Sequence, residues 1–353
     1  MMRITLIASL IIAIPAAAYA SENYDLRYAP GIGGADMSAP YESGWVVQTP
    51  IYRYRGSIHH DSHQQISLSP LGAPAGSLAN VTIDNKITVE AAGVLARLSY
   101  MSNTQFMGAQ VGFTALLPIL RKKTTVAVGR VDNQITPAGL DALDPIVRAA
   151  ATQRAQGIAS VNTNSSTGLG DLELAPMLRW ATDNSQWMFV PAIVLPTGKY
   201  DENKAANPGS GNFYTFRPLI QYSYIGDGWD IGARASLAIN SRNKDTHFRT
   251  GNYFNTDLAL MKTVSEEWRV GVAGYAVVQT TEDSRSETPT DPAVLARQNL
   301  TFGNKGHVYG LGLQFAYLQG GGDYLVDGRI LQEFGAKDRP EGTTFVLNLT
   351  KPF

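Results

Sequence analysis

The chain has 353 residues, with 29 Lys and Arg against 30 Asp and Glu, and only 17% of its residues are charged. This near-neutral balance offers no basic face for nucleic acid, and the charge content falls below the roughly 25% of a typical soluble domain. No cysteine is present, which excludes a disulfide scaffold, a thiol nucleophile, a cysteine metal site and a lipoprotein anchor.

Residues 1–20 read as a secretory signal peptide: Arg3 supplies the positive end, residues 4–14 an apolar core, and Ala18-Tyr19-Ala20 a small-x-small cleavage site. The alternative, an N-terminal membrane anchor, is disfavoured because the apolar stretch is short and ends at Pro15. Beyond residue 20 no apolar run approaches the ~18 residues of a membrane helix; the longest lies at 188–196. Residues 21–41 are rich in Tyr, Gly and Pro. They are either a periplasmic tail or a lumen-plugging segment, and Ala29-Pro30-Gly31 and Ala39-Pro40 favour a defined path inside. Residues 42–353 are assigned to a single outer-membrane β-barrel.

Twelve segments carry two-residue periodicity: 43–55, 86–100, 106–120, 169–181, 186–198, 212–225, 228–241, 252–263, 267–280, 306–318, 323–335 and 343–353. In one, Trp229, Ile231, Ala233, Ala235, Leu237 and Ile239 oppose Asp230, Arg234, Ser236 and Asn240. Connections after even-numbered strands are short: 102–105, 182–185, Gly226-Asp227, 264–267 and Gly320-Gly321-Gly322. Those after odd-numbered strands run mostly long: 56–85, 121–168, 199–211, 242–251, 281–305 and 336–342. Within 121–168, Asp144-Pro145 followed by 146–156 and Gly157 reads as a short helix with a cap, a first-turn proline and a glycine stop. The pattern predicts an all-β fold: a transmembrane antiparallel up-and-down β-barrel of about 12 strands, with short periplasmic turns and long extracellular loops. All five tryptophans, Trp45, Trp180, Trp187, Trp229 and Trp268, fall at the periplasmic strand ends, as an interfacial aromatic girdle does. The final strand, with Phe345, Leu347 and Leu349 alternating and Phe353 last, is similar to the C-terminal signal read by barrel-assembly machinery, although Lys351-Pro352 breaks its alternation.

The stretch from Gly168 to Asp283 resembles the MetA-pathway phenol-degradation family of outer-membrane proteins. The residues that carry the likeness are Gly168-Leu169-Gly170-Asp171, Ala175-Pro176, Trp180, Leu195-Pro196-Thr197-Gly198-Lys199-Tyr200, Asn240, Asn243, Thr250-Gly251, Asp257, Gly274-Tyr275 and Gln279. Gly33-Gly34-Ala35-Asp36 and Ala39-Pro40 are similar to the family's opening. His247-Phe248-Arg249 and the 121–168 stretch depart from it. The resemblance implies a barrel transporter linked to hydrocarbon or aromatic catabolism and supplies no catalytic residue.

The face opposite the apolar one carries lumen-lining candidates: Asp171, Glu173, Arg179, Arg217, Asp230, Arg234, Asp257, Arg269, Asp327, Arg329 and Glu333. On the lipid side a mid-plane arginine would cost roughly 2–4 kcal/mol, so alternation places them inside. They read equally as a polar pore lining and as a salt-bridge ladder. His59, His60, Asp61 and His63 cluster in the first long connection; metal binding there is weighed against solvated loop residues, and the latter is preferred because a site needs converging ligands. Ser241 near His247 is too little for a hydrolase without an orienting partner.

The expected function is passive uptake of small apolar or aromatic compounds through the outer membrane of a Gram-negative bacterium. The alternatives are a structural or adhesive barrel and an outer-membrane hydrolase. The expectation includes no enzyme activity and no cofactor. Expected partners are outer-membrane lipid and lipopolysaccharide, the barrel-assembly machinery, and small hydrophobic or aromatic solutes, with the protein monomeric.

Overall fold

The computed structural model describes residues 24, 26–39, 43–299, 302–319 and 323–353. The signal-peptide reading at 1–20 and the expected turn at Gly320-Gly321-Gly322 lie outside the described residues. In chain order the strands are β1 (Gly44–Gln48), β2 (Ile51–Ser67), β3 (Leu78–Phe106), β4 (Ala109–Thr136), β5 (Asn164–Leu169), β6 (Leu172–Ala181), β7 (Ser185–Leu195), β8 (Thr215–Gly226), β9 (Trp229–Asn240), β10 (Phe248–Arg249), β11 (Tyr253–Thr263), β12 (Trp268–Gln279), β13 (Ser284–Arg285), β14 (His307–Leu318), β15 (Leu325–Lys337) and β16 (Glu341–Pro352). The helices are α1 (Asp144–Asn162) and α2 (Pro292–Asn299).

Antiparallel pairing runs around a closed ring of 12 wall strands. β1 and β2 form one wall strand interrupted at Thr49-Pro50, and β5 and β6 another interrupted at Gly170-Asp171. β16 closes the ring onto both β1 (Val46↔Pro352) and β2 (Ile51↔Leu347). The last strand therefore pairs through Lys351-Pro352, within the expected 343–353 segment, although the polarity alternation breaks there. Closure leaves no wall strand with an open edge, the condition for crossing lipid with strands. Most of the wall strands from β6 to β16 have 10–13 residues, enough for a tilted crossing.

The wall is apolar outside and polar inside. Leu313 is 69% exposed and Leu258, Ile330 and Ile220 are about half exposed, while Asp257, Asp327 and Asn348 are buried. A water-soluble domain does the opposite, and a continuous exposed apolar band calls for lipid.

Two short turns lie beyond the predicted positions. The turn expected at 102–105 is at Met107-Gly108, and the one expected at Gly226-Asp227 is at Asp227-Gly228. Both central residues of each have positive φ (52° and 74°, 54° and 72°), as two-residue hairpin turns require. Residues 102–105 instead belong to β3, where a register irregularity after Met101 is bridged by Ser102 Oγ donating to Val111 O at 2.8 Å.

The larger correction concerns residues 56–85 and 121–168, expected as loops. Most of them are strand. β2, β3 and β4 have 17, 29 and 28 residues and continue past the wall as a three-stranded sheet, joined at its tip by residues 68–77. The histidine cluster lies on β2, not on a loop. α1 packs across this extension, and its 19 residues pass through Gly157, which was expected to stop it. Asp144 is the first helical residue, after Leu143 as cap, with no side-chain cap bond. Ile66, Leu68, Ala79, Val81, Ile83 and Val131 bury against Val147 and Ala151 in a separate small core. Tertiary packing explains the override: an apolar sheet face holds a helix that local cap and stop signals would have shortened.

Candidate functional site: the barrel interior

Residues 26–39 run through the middle of the buried wall face, held by backbone and side-chain bonds at each turn. Arg27 Nη2 lies 3.0 Å from Asp171 and donates to Gly211 O at 2.7 Å, and its guanidinium stacks on Phe213 at 3.8 Å. Tyr28 Oη donates to Asp257 Oδ2. The Gly31 and Gly33 amides donate to the same carboxylate at 3.0 and 3.3 Å. Arg329 donates to the carbonyls of Gly31 (2.7 Å) and Ile32. A short 3-10 turn, Ala35–Met37, ends the run, and Gln221 Nε2 donates to Met37 O at 2.8 Å.

A Cβ on Gly34 would stand 1.9 Å from Arg329 Nη1, so a larger residue there must move that guanidinium off the Gly31 and Ile32 carbonyls. Asp36 accepts from the Gly34 amide at 2.8 Å and faces Arg234 at 3.7 Å.

Nine of the eleven predicted lumen-side residues are buried; Arg179 and Arg269 are half-buried. Five of them meet the N-terminal segment directly: Asp171, Arg217, Arg234, Asp257 and Arg329. The rest pair along the wall. Arg217 bridges to Glu173 as well as donating to Arg27 O. Arg269 lies 3.5 Å from Asp230, and Arg329 pairs with Asp327. Glu333 accepts from Tyr54 (2.9 Å) and Tyr275 (2.8 Å), and Arg179 donates to Gln186 at 2.6 Å. Buried charges are tolerable only when so paired.

Sequence reasoning missed the segment's own half of the network, Arg27 and Asp36, and the amides Gln48, Gln186 and Gln221 that bind its carbonyls and carboxylate. Two opposite charges in a Gly- and Pro-rich stretch were the available signal. The wall amides carried none, because a lone Gln on a polar face is compatible with solvent.

Between this segment and β2, β3 and β4 lies a partly open cavity of about 170 Å³. Its walls are mostly apolar or aromatic, among them Leu26, Tyr28, Ile32, Tyr52, Leu95 and Leu116, with Arg97, Lys122 and Arg339 also facing it.

The five tryptophans are all exposed (37–51%); Trp180, Trp187, Trp229 and Trp268 lie beside short turns, and Trp45 lies at the start of β1 and pairs across to Tyr100 on β3. Trp45 stacks on Tyr100 at 4.9 Å, Trp187 on Tyr222 at 4.7 Å and Trp268 on Tyr317 at 5.0 Å.

Alternation on β2 splits the histidine cluster. His59, Asp61 and His63 point outward, and His60 points toward the inner face. His59 approaches Asp84 at 3.3 Å and His63 approaches Thr82 at 3.0 Å. Among the described residues no group of three or more His, Asp or Glu is placed to hold a metal. Ser241 Oγ accepts from the Tyr214 amide at 2.9 Å, while His247 faces Glu287 at 3.6 Å, so that pair is engaged elsewhere.

The family model described as "Putative MetA-pathway of phenol degradation" matches residues 72–349. The chain belongs to this family. No curated protein matches the sequence. Among solved structures, the COG4313 outer membrane channel from Pseudomonas putida F1 is 13% identical, with a TM-score of 0.57 over 93% of this chain and 100% of that one. That likeness is one of fold. The CymD monoaromatic hydrocarbon channel (10% identity, TM-score 0.38, 97% and 99% covered) and a Pseudomonas aeruginosa FadL homologue (8%, 0.37, 97% and 99%) are more distant.

The family residues now have physical roles. Asp171 accepts from the amides of Gly198 (3.0 Å) and Ser210 (2.9 Å) besides binding Arg27, so it ties the N-terminal segment to the connection after β7. A Cβ on Gly198 would stand 2.6 Å from Gly209 Cα, so the two backbones cross there only as glycines. Asn240 Nδ2 donates to Gly251 O at 3.0 Å, and Gln279 Nε2 donates to Asp283, which also accepts from the Gly251 amide. These motifs fix the long connections over the barrel mouth.

Proposed function

We propose that this protein is a Gram-negative outer-membrane channel for passive uptake of small apolar or aromatic compounds. The observation that carries the reading is the cavity of about 170 Å³, apolar or aromatic over most of its wall, inside a closed barrel with an apolar exterior. An apolar cavity of roughly 150 Å³ suffices for benzene, so this one matches a single aromatic ring. Twelve strands lie between eight, which side chains can fill, and sixteen, which leave an aqueous channel. Here the space is divided between residues 26–39 and the cavity, and those residues act as a lumen constriction. Most of the buried charges are paired with one another, which disfavours selection by solute charge. The family's link to phenol degradation points to the same solute class.

In this reading the tryptophans form the periplasmic girdle and the eleven buried or half-buried charged residues line the lumen. The leader is removed on export. The barrel-assembly machinery inserts the chain, which works as a monomer without catalytic chemistry. The test is protein-dependent flux of phenol or toluene into liposomes, with growth on the same compound at limiting concentration. Flux and growth that depend on the protein support the reading. Equal growth and no protein-dependent flux reject it in favour of a structural or adhesive barrel.

A further inference from the structure

Cationic residues on the outer wall surface are concentrated in one sector. The outward row Leu347, Ile51, Val94, Ile119 and Leu169 crosses five neighbouring strands and is wholly apolar; Ile51 is 50% and Ile119 48% exposed. One row nearer the long connections, the same strands present Phe345, Arg53, Ala92, Arg121 and Thr167. The next row presents Thr343, Arg55, Glu90, Lys123 and Ser165. Four cations thus begin where the apolar belt stops. On the outward faces of the wall strands β6, β7, β8, β9, β11 and β12, the described residues include one Lys, Lys262, beside the short turn at Asp227-Gly228, and no Arg. The exposed Lys337 and Lys351 lie at the ends of β15 and β16.

The four cations are not equivalent. Arg55 and Lys123 each lie 3.6 Å from Glu90, which compensates part of their charge. Arg53 and Arg121 have no ion-pair partner among the described residues and flank Ala92 at paired positions. Two strand spacings separate them, about 10 Å, and the small alanine leaves the space between them open. Two guanidinium forks across such a gap match a phosphate, while the row of Ile51, Val94 and Ile119 below matches acyl chains.

We propose that this sector is a binding site for a phosphorylated glycolipid of the outer leaflet, its phosphate held between Arg53 and Arg121 and its chains against Ile51, Val94 and Ile119. The occupant is a membrane lipid, not free phosphate, because the cations sit at the edge of the apolar belt and the apolar row continues the site. The assignment rests on reading the long-connection end as the cell-facing end.

The test is native mass spectrometry of the full folded protein in zwitterionic detergent, titrated with diphosphoryl lipid A and with dephosphorylated lipid A. The expected result is preference for the diphosphoryl form by about tenfold or more, lost in R53Q/R121Q and kept in K262Q. R53K/R121K, which keeps charge without the fork, should retain part of it. If the double variant fails to fold by heat-modifiability, R53Q and R121Q singly should each weaken the preference several-fold. Equal binding of the two lipids, unchanged preference in R53Q/R121Q, or full competition by millimolar inorganic phosphate would overturn the site. Flux of phenol through the same variants separates this from the channel reading, since loss of lipid preference with flux intact supports the site alone.

Discussion

β2, β3 and β4 run through both the wall and the extension, and their outward faces change from apolar in the wall to polar in the extension. In the wall, β3 turns Leu98 and Val94 outward and Ser99 and Arg97 inward, with Leu95 and Ala91 also inward against the cavity. Farther along the same strand, Ile87, Ile83, Val81 and Ala79 are the buried inward residues, and Asp84, Thr82 and Asn80 point out. β4 follows suit through one extra residue near Gly129-Arg130, where Ile83 pairs with Val131 and Asn85 with Val128, a bulge that returns Val131 to the inner face. Backbone pairing is continuous across the change, so the solvent and not the backbone decides which face is apolar. Where lipid surrounds the strand the apolar face looks out; where water surrounds it the apolar face looks in, onto α1.

The inversion gives the largest predicted effect. Val81 is 1% exposed in the extension core, so V81D buries an unpaired carboxylate at a cost of about 3–5 kcal/mol. The extension and α1 should lose hydrogen-exchange protection while β7 to β15 keep theirs. Loss of protection throughout would show that the extension is not a separate unit. The converse substitution is L313R, on the lipid face, which should cost about 2–4 kcal/mol and lower the fraction inserted into liposomes. T82R, outward on the extension, should stay within about 0.5 kcal/mol of wild type. If both arginines behaved alike, Leu313 and Thr82 would share one solvent and the inversion would have another cause.

The wall was legible in the sequence because a polarity period of two needs only strand residues and short turns, and β8, β9, β11, β12 and β14 have both. The extension was not, for the same reason. A reader who takes loss of the outward apolar pattern as the end of a strand stops β2 near 55 and starts β3 near 86, where the strands in fact change solvent. The eleven charged residues were legible as a set because alternation fixes the face. Their partners were not, since Arg27 and Asp36 reach them from a segment with no period at all.

The interior sharpens the comparison from a third side. Residues 26–39 are held to the wall by non-covalent bonds from backbone amides and carbonyls and from Arg27, Tyr28 and Asp36, and form no strand of the ring, so displacing them should need no unfolding of the wall. G34V forces a side chain into the space of Arg329 and should raise single-channel conductance severalfold, with β-sheet circular dichroism and heat-modifiability unchanged. Unchanged conductance would mean that the segment does not constrict the lumen.

The smallest effect is a pH dependence confined to the extension. His60 lies beyond Ser57, the last residue of β2 paired to β16, and is 6% exposed. Burial pushes its pKa below the ordinary 6.5; the nearby Asp61 opposes this and His63 adds to it, both more weakly. Folding therefore favours the neutral imidazole. At pH well above 6.5 neither state binds the proton, and the histidine costs nothing. As pH falls through 6.5 the unfolded extension takes up the proton first, so stability is lost from that point downward until the folded group also protonates. Amide exchange in β2 and β3 near residues 60 and 85 should speed up relative to the wall between pH 7 and pH 5, once corrected for intrinsic rates, and H60Q should flatten the change. An equal response in β9 and β11 would assign it to the barrel and not to His60.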